Sequence, residues 1–226
     1  MEQVEQSGDE LIQIFQGSDE WLAQRRGKIT ASEVHKIMGV RGLGKTGESY
    51  IMECVAEELG AELPMVETKA MEWGKFMEPY AKEHYERAFG VKVIEQPFII
   101  ADWCDQAGAS PDGKVHSSGL QTQNLYTEYK CPYDPTNHLK HLMITSAEEL
   151  KSEKPEYYWQ IMMGFAVTDA DSWDFISYSE SFTGKLRMSV LPIYPNQADI
   201  ALLKSRVLEA VKIKNEIIEK IKKRLA

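Results

Sequence analysis

The sequence predicts an α/β (α+β) fold in which a central mixed β-sheet is flanked by helices. Three observations predict it. The middle of the chain reads, in order, as helix, strand, strand, strand, helix, strand. Residues 125–131 (Leu125-Tyr126-Thr127-Glu128-Tyr129-Lys130-Cys131) carry the aromatic and Thr content that suits a pleated surface. The chain closes on a helix over about 196–224 with Ile200, Leu203, Val207, Leu208, Val211, Ile217, Ile218 and Ile221 predicted to face inward.

Taken in order, Ser18 caps a short helix over 18–25 with Asp19 and Glu20 in its first turn. Thr30-Ala31-Ser32-Glu33 reads as a capping box that opens a second helix through Met38. Gly39 to Gly47 reads as a glycine-rich basic loop, and helical spacing returns over 48–59. A longer helix is predicted over 70–89, with Trp73, Met77, Tyr80 and His84 on one face and a kink at Pro79. Strands near 91–101 and 105–110 follow, then a hairpin turn at Asp112 and the strand 125–131. Lys114 to Asn124 reads as a loose polar loop. Asp134-Pro135 opens a helical piece through about Met143. Pro155 starts a helix over 155–168 with Tyr158, Ile161, Met162 and Phe165 on its apolar face. Strands near 173–179 and 187–194 precede the last helix. Residues 1–226 read as one domain, with a core at about 70–180 and N-terminal helices plus the basic loop at 18–60.

Composition narrows the function classes. Apolar content of 43% with 27% charge places the chain among globular proteins. No run of eighteen apolar residues suggests a membrane span, and Met1-Glu2-Gln3-Val4-Glu5 lacks the apolar core of a secretion signal. Cys54, Cys104 and Cys131 are too few for a thiolate-held iron–sulfur cluster and fit a reducing cytoplasm. The net charge of −9 weighs against a nucleic-acid coat but not against a local basic channel. Basic residues gather at Arg25, Arg26, Lys28, Lys36, Arg41 and Lys45, and again at Lys212, Lys214, Lys220, Lys222, Lys223 and Arg224.

The chemistry concentrates at Ser110-Pro111-Asp112-Gly113 and Glu128-Tyr129-Lys130. Side chains two apart on a strand share a face, so Glu128 and Lys130 meet. Asp112 sits in a rigid Pro/Gly turn across the hairpin. Two carboxylates and a lysine are what metal-assisted phosphodiester hydrolysis needs: oxygen ligands for Mg²⁺, activated water, and a cation to orient or deprotonate that water. A Glu/Lys pair on a strand is more commonly a solvated face, but the flanks here are apolar.

Further motifs extend the pattern: Trp21…Gly27-Lys28-Ile29-Thr30-Ala31-Ser32-Glu33-Val34-His35, Trp73-Gly74-Lys75…Glu78, Cys131-Pro132 and Tyr158-Trp159-Gln160. Together they resemble the lambda exonuclease (YqaJ-like viral recombinase) family, built on the restriction-endonuclease-like PD-(D/E)XK core. The resemblance covers roughly residues 18–180. It implies a processive 5′→3′ exonuclease on double-stranded DNA ends, using Mg²⁺ (two ions, with Mn²⁺ as a substitute). It also implies a ring-shaped homotrimer, a single-strand annealing protein as partner, and a phage or prophage protein working in the cytoplasm of a bacterial host. By matching position it makes Asp112, Glu128, Glu78 and the Tyr129 carbonyl metal ligands, Lys130 the catalytic lysine and Gln160 a helper. Arg25, Ser32 and Ser110 match a 5′-phosphate pocket, Arg41 a DNA-gripping loop arginine, and Met71 an apolar wedge. A helix N-terminus at Ser32 would reinforce the pocket. The interval from Asp112 to Glu128 is longer than the family's pattern, and the C-terminal helix matches weakly. A structure-specific endonuclease or resolvase on the same core, or a non-catalytic DNA-end-binding protein, are the alternatives.

Rival signals are weaker. Gly39 to Thr46 fits the phosphate-loop pattern, but that motif must follow a buried strand, and here it follows the segment 30–38. Cys131, His138 and His141 lack zinc-finger spacing, with Cys104 a distant fourth ligand. His35 and His84 read as core or rim histidines. Tyr157, Tyr158 and Trp159 read as core rather than a base-stacking platform. The basic C-terminal helix reads as a packing helix, ahead of a DNA contact or a subunit interface.

Overall fold

Ser18 caps α1 (Asp19–Arg25) as its sequence predicts, its side chain accepting from the Trp21 N–H. The computed structural model describes residues 17–64, 67–116 and 124–226. Met1–Glu5 and residues 117–123 of the expected polar loop lie outside that range. Three elements differ from expectation early in the chain, while the helix expected over 70–89 follows its expected span. The capping box does not form: Ile29–Thr30 is β1, and the Ala31 N–H donates to the Gly108 carbonyl at 3.0 Å. Only a four-residue 3-10 turn, Val34–Ile37, follows, and Glu33 makes no side-chain cap. α2 (Gly44–Glu58) starts inside the expected basic loop. α3 (Lys69–Phe89) is capped by Thr68 and ends on Gly90, whose φ of 65° suits a residue without Cβ.

Next come β2 (Lys92–Ile94), β3 (Ile99–Ala101), β4 (Cys104–Ala109), β5 (Gly113–His116) and β6 (Leu125–Lys130). α4 (Pro135–Leu142) is capped by Asp134, α5 (Ala147–Glu153) by Ser146, and α6 (Pro155–Val167) carries Pro at its first turn. α5 has no counterpart in the sequence reading. β7 (Ser172–Tyr178), β8 (Met188–Ile193) and α7 (Gln197–Leu225) complete the chain.

The five-stranded sheet has the order β2-β5-β6-β7-β8, with β6/β7 parallel and the other pairs antiparallel. It is the expected central mixed sheet. A separate three-stranded sheet, β1-β4-β3, was not expected. The hairpin partner of β6 is β5, which lies inside the stretch read as loop. β4 belongs to the small sheet. Asp112 therefore opens β5 instead of sitting between strands 105–110 and 125–131. Gly113 makes this possible: a Cβ there would fall 2.1 Å from Val93 Cγ1 on β2.

The large sheet is covered on both faces. Tyr126, Trp173 and Phe175 pack with Ile161, Met162 and Leu203 from α6 and α7. Tyr129, Ile176 and Tyr178 pack with Met77, Ala81 and Tyr85 of α3. The buried face of α3 is thus rotated from the expected one. Ala81 lets the helix approach the sheet, while Tyr80 is half exposed. On α7, Leu208 faces solvent and Lys214 is buried, reversing both expectations. The Lys214 ammonium donates to the Gly27 carbonyl at 2.7 Å and to Glu58 at 2.5 Å, so a long-range ion pair compensates its desolvation.

Candidate active site

Strand alternation sets the first part of the site. Tyr126, Glu128 and Lys130 project from one face of β6, towards α6. Glu128 is only 2% exposed, and an isolated carboxylate at that depth is costly. Its Oε1 accepts from Lys130 Nζ at 2.6 Å and from Gln160 Nε2 at 2.7 Å. Gln160 Oε1 in turn accepts from Lys130 at 3.3 Å. The ammonium lies 4.8 Å above the Tyr157 ring. Burial lowers the Lys130 pKa, but Glu128 and Asp112 outweigh it and raise it above the ordinary lysine range. The ammonium, held against Glu128, is placed to act on water or on developing charge at the site.

Asp112 is placed by register. Gly113 pairs with Thr127, so one residue further Asp112 comes opposite Glu128. Its Oδ2 accepts from the Tyr129 backbone N–H at 2.7 Å. Burial and the charges of Glu128 and Glu78 drive the Asp112 carboxyl well above the usual range. Glu78 reaches the site from α3. Burial, then Glu128, pushes its carboxyl up to about 7. Three expected ligands are therefore electrostatic neighbours. Among the described residues, however, no group of three His, Cys, Asp or Glu side chains stands arranged to hold a metal ion. Glu128 Oε1 and Asp112 Oδ2 are engaged with Lys130, Gln160 and Tyr129. The donor set still fits a divalent cation: hard oxygen ligands that repel one another are what such an ion stabilises.

A second cluster forms around Arg25. Its guanidinium donates to Ser32 Oγ at 3.0 Å and to Ser110 Oγ at 3.4 Å, and stacks 4.2 Å from the Trp21 ring centroid. Burial presses its pKa down. Among the described residues no carboxylate forms a salt bridge with it, although Glu33 and Glu57 are near enough to favour its charged form. A desolvated guanidinium with two hydroxyls is a ready anion site. The expected helix N-terminus at Ser32 is not part of it, because Ser32 precedes only the short 3-10 turn. Met71 lines both the cavity beside Arg25 and the groove beside Lys130. Arg41 is exposed before α2 and lines neither.

The expected zinc set is differently engaged. His138 Nε2 meets the Leu186 carbonyl at 2.8 Å, so it is the donor. His138 Nδ1 then accepts from Ser177 Oγ at 2.8 Å, and His141 Nδ1 donates to that oxygen at 3.0 Å. His35 Nδ1 lies 3.2 Å from the Ser32 carbonyl, and His84 packs on Tyr178. Tyr158 and Trp159 are core, as read.

Residues 20–171 match the YqaJ-like viral recombinase domain. The chain belongs to that family. A comparison of this YqaJ-like chain with curated proteins gives no match. Among solved structures it is similar to an alkaline exonuclease from Laribacter hongkongensis: 27% identity and a TM-score of 0.79, over 92% of this chain and 98% of that one. The same exonuclease in complex with dAMP matches with a TM-score of 0.78 at 27% identity, over the same shares. A phage-related exonuclease from Haemophilus somnus 129PT shares the fold at 17% identity and a TM-score of 0.70, over 86% of this chain and 96% of that one. The sequence reading missed two contributors. Tyr157 lies three residues before Gln160, so helical spacing could have placed it over Lys130. Trp21, quoted only as a motif residue, donates its indole N–H to Ser110 Oγ at 3.0 Å.

Proposed function

We propose that this chain is a divalent-metal-dependent DNA exonuclease that degrades one strand of duplex DNA in the 5′→3′ direction from 5′-phosphorylated ends. The observation that carries the reading is the buried Glu128 held between Lys130 and Gln160, with Asp112 and Glu78 crowding the same charge. Asp112, Glu128, Glu78 and the Tyr129 carbonyl would hold Mg²⁺, or Mn²⁺ in its place, with two ions as the expected complement. When bound, the metal supplies water activation and neutralises charge that develops on the phosphate. Gln160 fixes Glu128, and Lys130 presents its cation to the scissile phosphate. Arg25, Ser32 and Ser110 would take the terminal phosphate, which is close to a dianion at neutral pH. Contacts of this kind carry no sequence information, as an enzyme that degrades any sequence requires.

The similarity to an alkaline exonuclease seen with dAMP supports this reading. Processivity through a ring-shaped homotrimer, an annealing protein that receives the 3′ overhang, and a phage or prophage origin in a bacterial cytoplasm are further parts of the proposal, which family membership supports. All three cysteines are unbridged, which supports that compartment. Among the described residues no helix is long and apolar enough to cross a membrane.

The test compares linear duplex with covalently closed circles in Mg²⁺. Loss of the linear form with circles intact is expected. Nicking of circles would favour the endonuclease reading, and binding of ends without cleavage the non-catalytic one.

A further inference from the structure

Trp73, Phe76 and Tyr80 form one stripe of α3, at spacings of three and four. Their rings meet in sequence: Trp73 and Phe76 centroids are 6.3 Å apart, and Phe76 and Tyr80 5.6 Å. Tyr133 joins edge-on, 5.9 Å from Trp73. Phe76, Tyr80 and Tyr133 are 60%, 50% and 57% exposed. The core beneath α3 is built by Met77, Ala81 and Tyr85 instead. Ring tilts of 42° and 53° keep the stripe from stacking on itself.

The stripe continues the candidate catalytic groove. Tyr133 and Gly74 line the same cavity as Glu78, Lys130 and Tyr157. Glu78 projects from the groove side of α3, away from Phe76 and Tyr80, so the link between stripe and groove is Tyr133, which touches Trp73 and lines the cavity. We infer that the stripe is a stacking platform for single-stranded DNA leading into or out of that groove. The inference rests on the nuclease reading and places a part of the substrate that the reading leaves unassigned. Every base has a π-face, so stacking tolerates any sequence. With a net charge of −9, the chain gains little from overall electrostatics. Stacking adds affinity that does not depend on net charge. A single strand that lies along the rings meets the groove at Tyr133.

The test uses the full chain in EDTA and a fluorescein-labelled oligo-dT, titrated by anisotropy at two salt concentrations. Phe76→Ser, Tyr80→Ser and the double variant are compared with wild type. Neither residue lines the Lys130 cavity, and circular dichroism checks the fold. Each variant is expected to weaken oligo-dT binding about tenfold without changing the salt slope, and the double variant about a hundredfold. Tyr80→Trp is expected to keep wild-type affinity. Equal affinity in wild type and the double variant overturns the platform. So does loss of self-association in the double variant, by light scattering, with oligo-dT affinity unchanged, since that assigns the stripe to a second copy. Wild type that fails to cut duplex in Mg²⁺ yet binds oligo-dT through these rings sinks the nuclease reading alone. Cleavage with ring-independent binding sinks the platform alone.

Discussion

Lys130 Nζ lies 2.6 Å from Glu128 Oε1, two residues apart on one strand and both facing α6. Glu128 is nearly inaccessible, so this ammonium offsets its desolvation as well as serving the proposed chemistry. Lys130→Ala is expected to destabilise the fold by about 2–3 kcal/mol. That is less than the ~3–5 of a fully buried pair, because Gln160 still donates to Glu128. Urea denaturation of the two proteins measures it.

Arg25 contacts two hydroxyls and an indole, and burial presses its pKa down. Removing the 5′ phosphate from a duplex is therefore expected to slow its degradation. Arg25→Ala should erase that difference. Equal rates on 5′-hydroxyl and 5′-phosphate ends with wild type would refute the pocket.

His141 carries a pH prediction. Its Nδ1 is spent on Ser177, its Nε2 is buried without a hydrogen-bond partner among the described residues, and burial lowers its pKa to about 4. The unfolded chain takes up this proton near pH 6.5, before the folded one does. Stability from neutral His141 is thus full above pH 6.5 and falls as pH drops towards 4, by about 3 kcal/mol in all. NMR titration of the imidazole should find a midpoint near 4, and a midpoint near 6.5 would contradict the tautomer chain.

Gly113 separates β2 from Asp112. Gly113→Ala puts a Cβ 2.1 Å from Val93 Cγ1, on a stiff β-branched side chain. A loss of about 1–3 kcal/mol is expected, with a fall in cleavage because Asp112 moves with β5. Thermal melts and single-turnover rates report both parts.

Lys214 ties α7 to the Gly27 turn two residues beyond Arg25. Lys214→Met leaves the Gly27 carbonyl without this donor, at about 1–3 kcal/mol. Hydrogen exchange should show that turn loosening.

The legible parts of the sequence were those fixed locally. Ser18, Asp134 and Pro155 mark helix starts through bonds or ring geometry within a few residues. Glu128 and Lys130 meet because strand periodicity leaves no alternative. What stayed hidden was set by distant partners. Thr30-Ala31 offers a capping box, but pairing with β4, nearly eighty residues later, takes its backbone. Lys214 reads as part of a solvated basic face because Gly27, its carbonyl partner, is 187 residues away. The stripe through Trp73, Met77 and Tyr80 has valid helical spacing. So does the one through Met77, Ala81 and Tyr85, and only the sheet decides between them. The strand character of Gly113–His116 was masked by its polar residues and shows only through pairing with β2 and β6.

The central claim is that Glu128, Asp112 and Lys130 form a nuclease centre working from a 5′ end. Its most direct measurement is digestion of a 5′-phosphorylated linear duplex, labelled at the 3′ end of one strand. Wild type and Lys130→Ala are each incubated with Mg²⁺ or EDTA. The labelled strand should shorten progressively from its 5′ end, releasing 5′-mononucleotides, only with wild type and only with Mg²⁺. Shortening in EDTA, equal shortening by Lys130→Ala, or an intact duplex with wild type in Mg²⁺ would contradict the account.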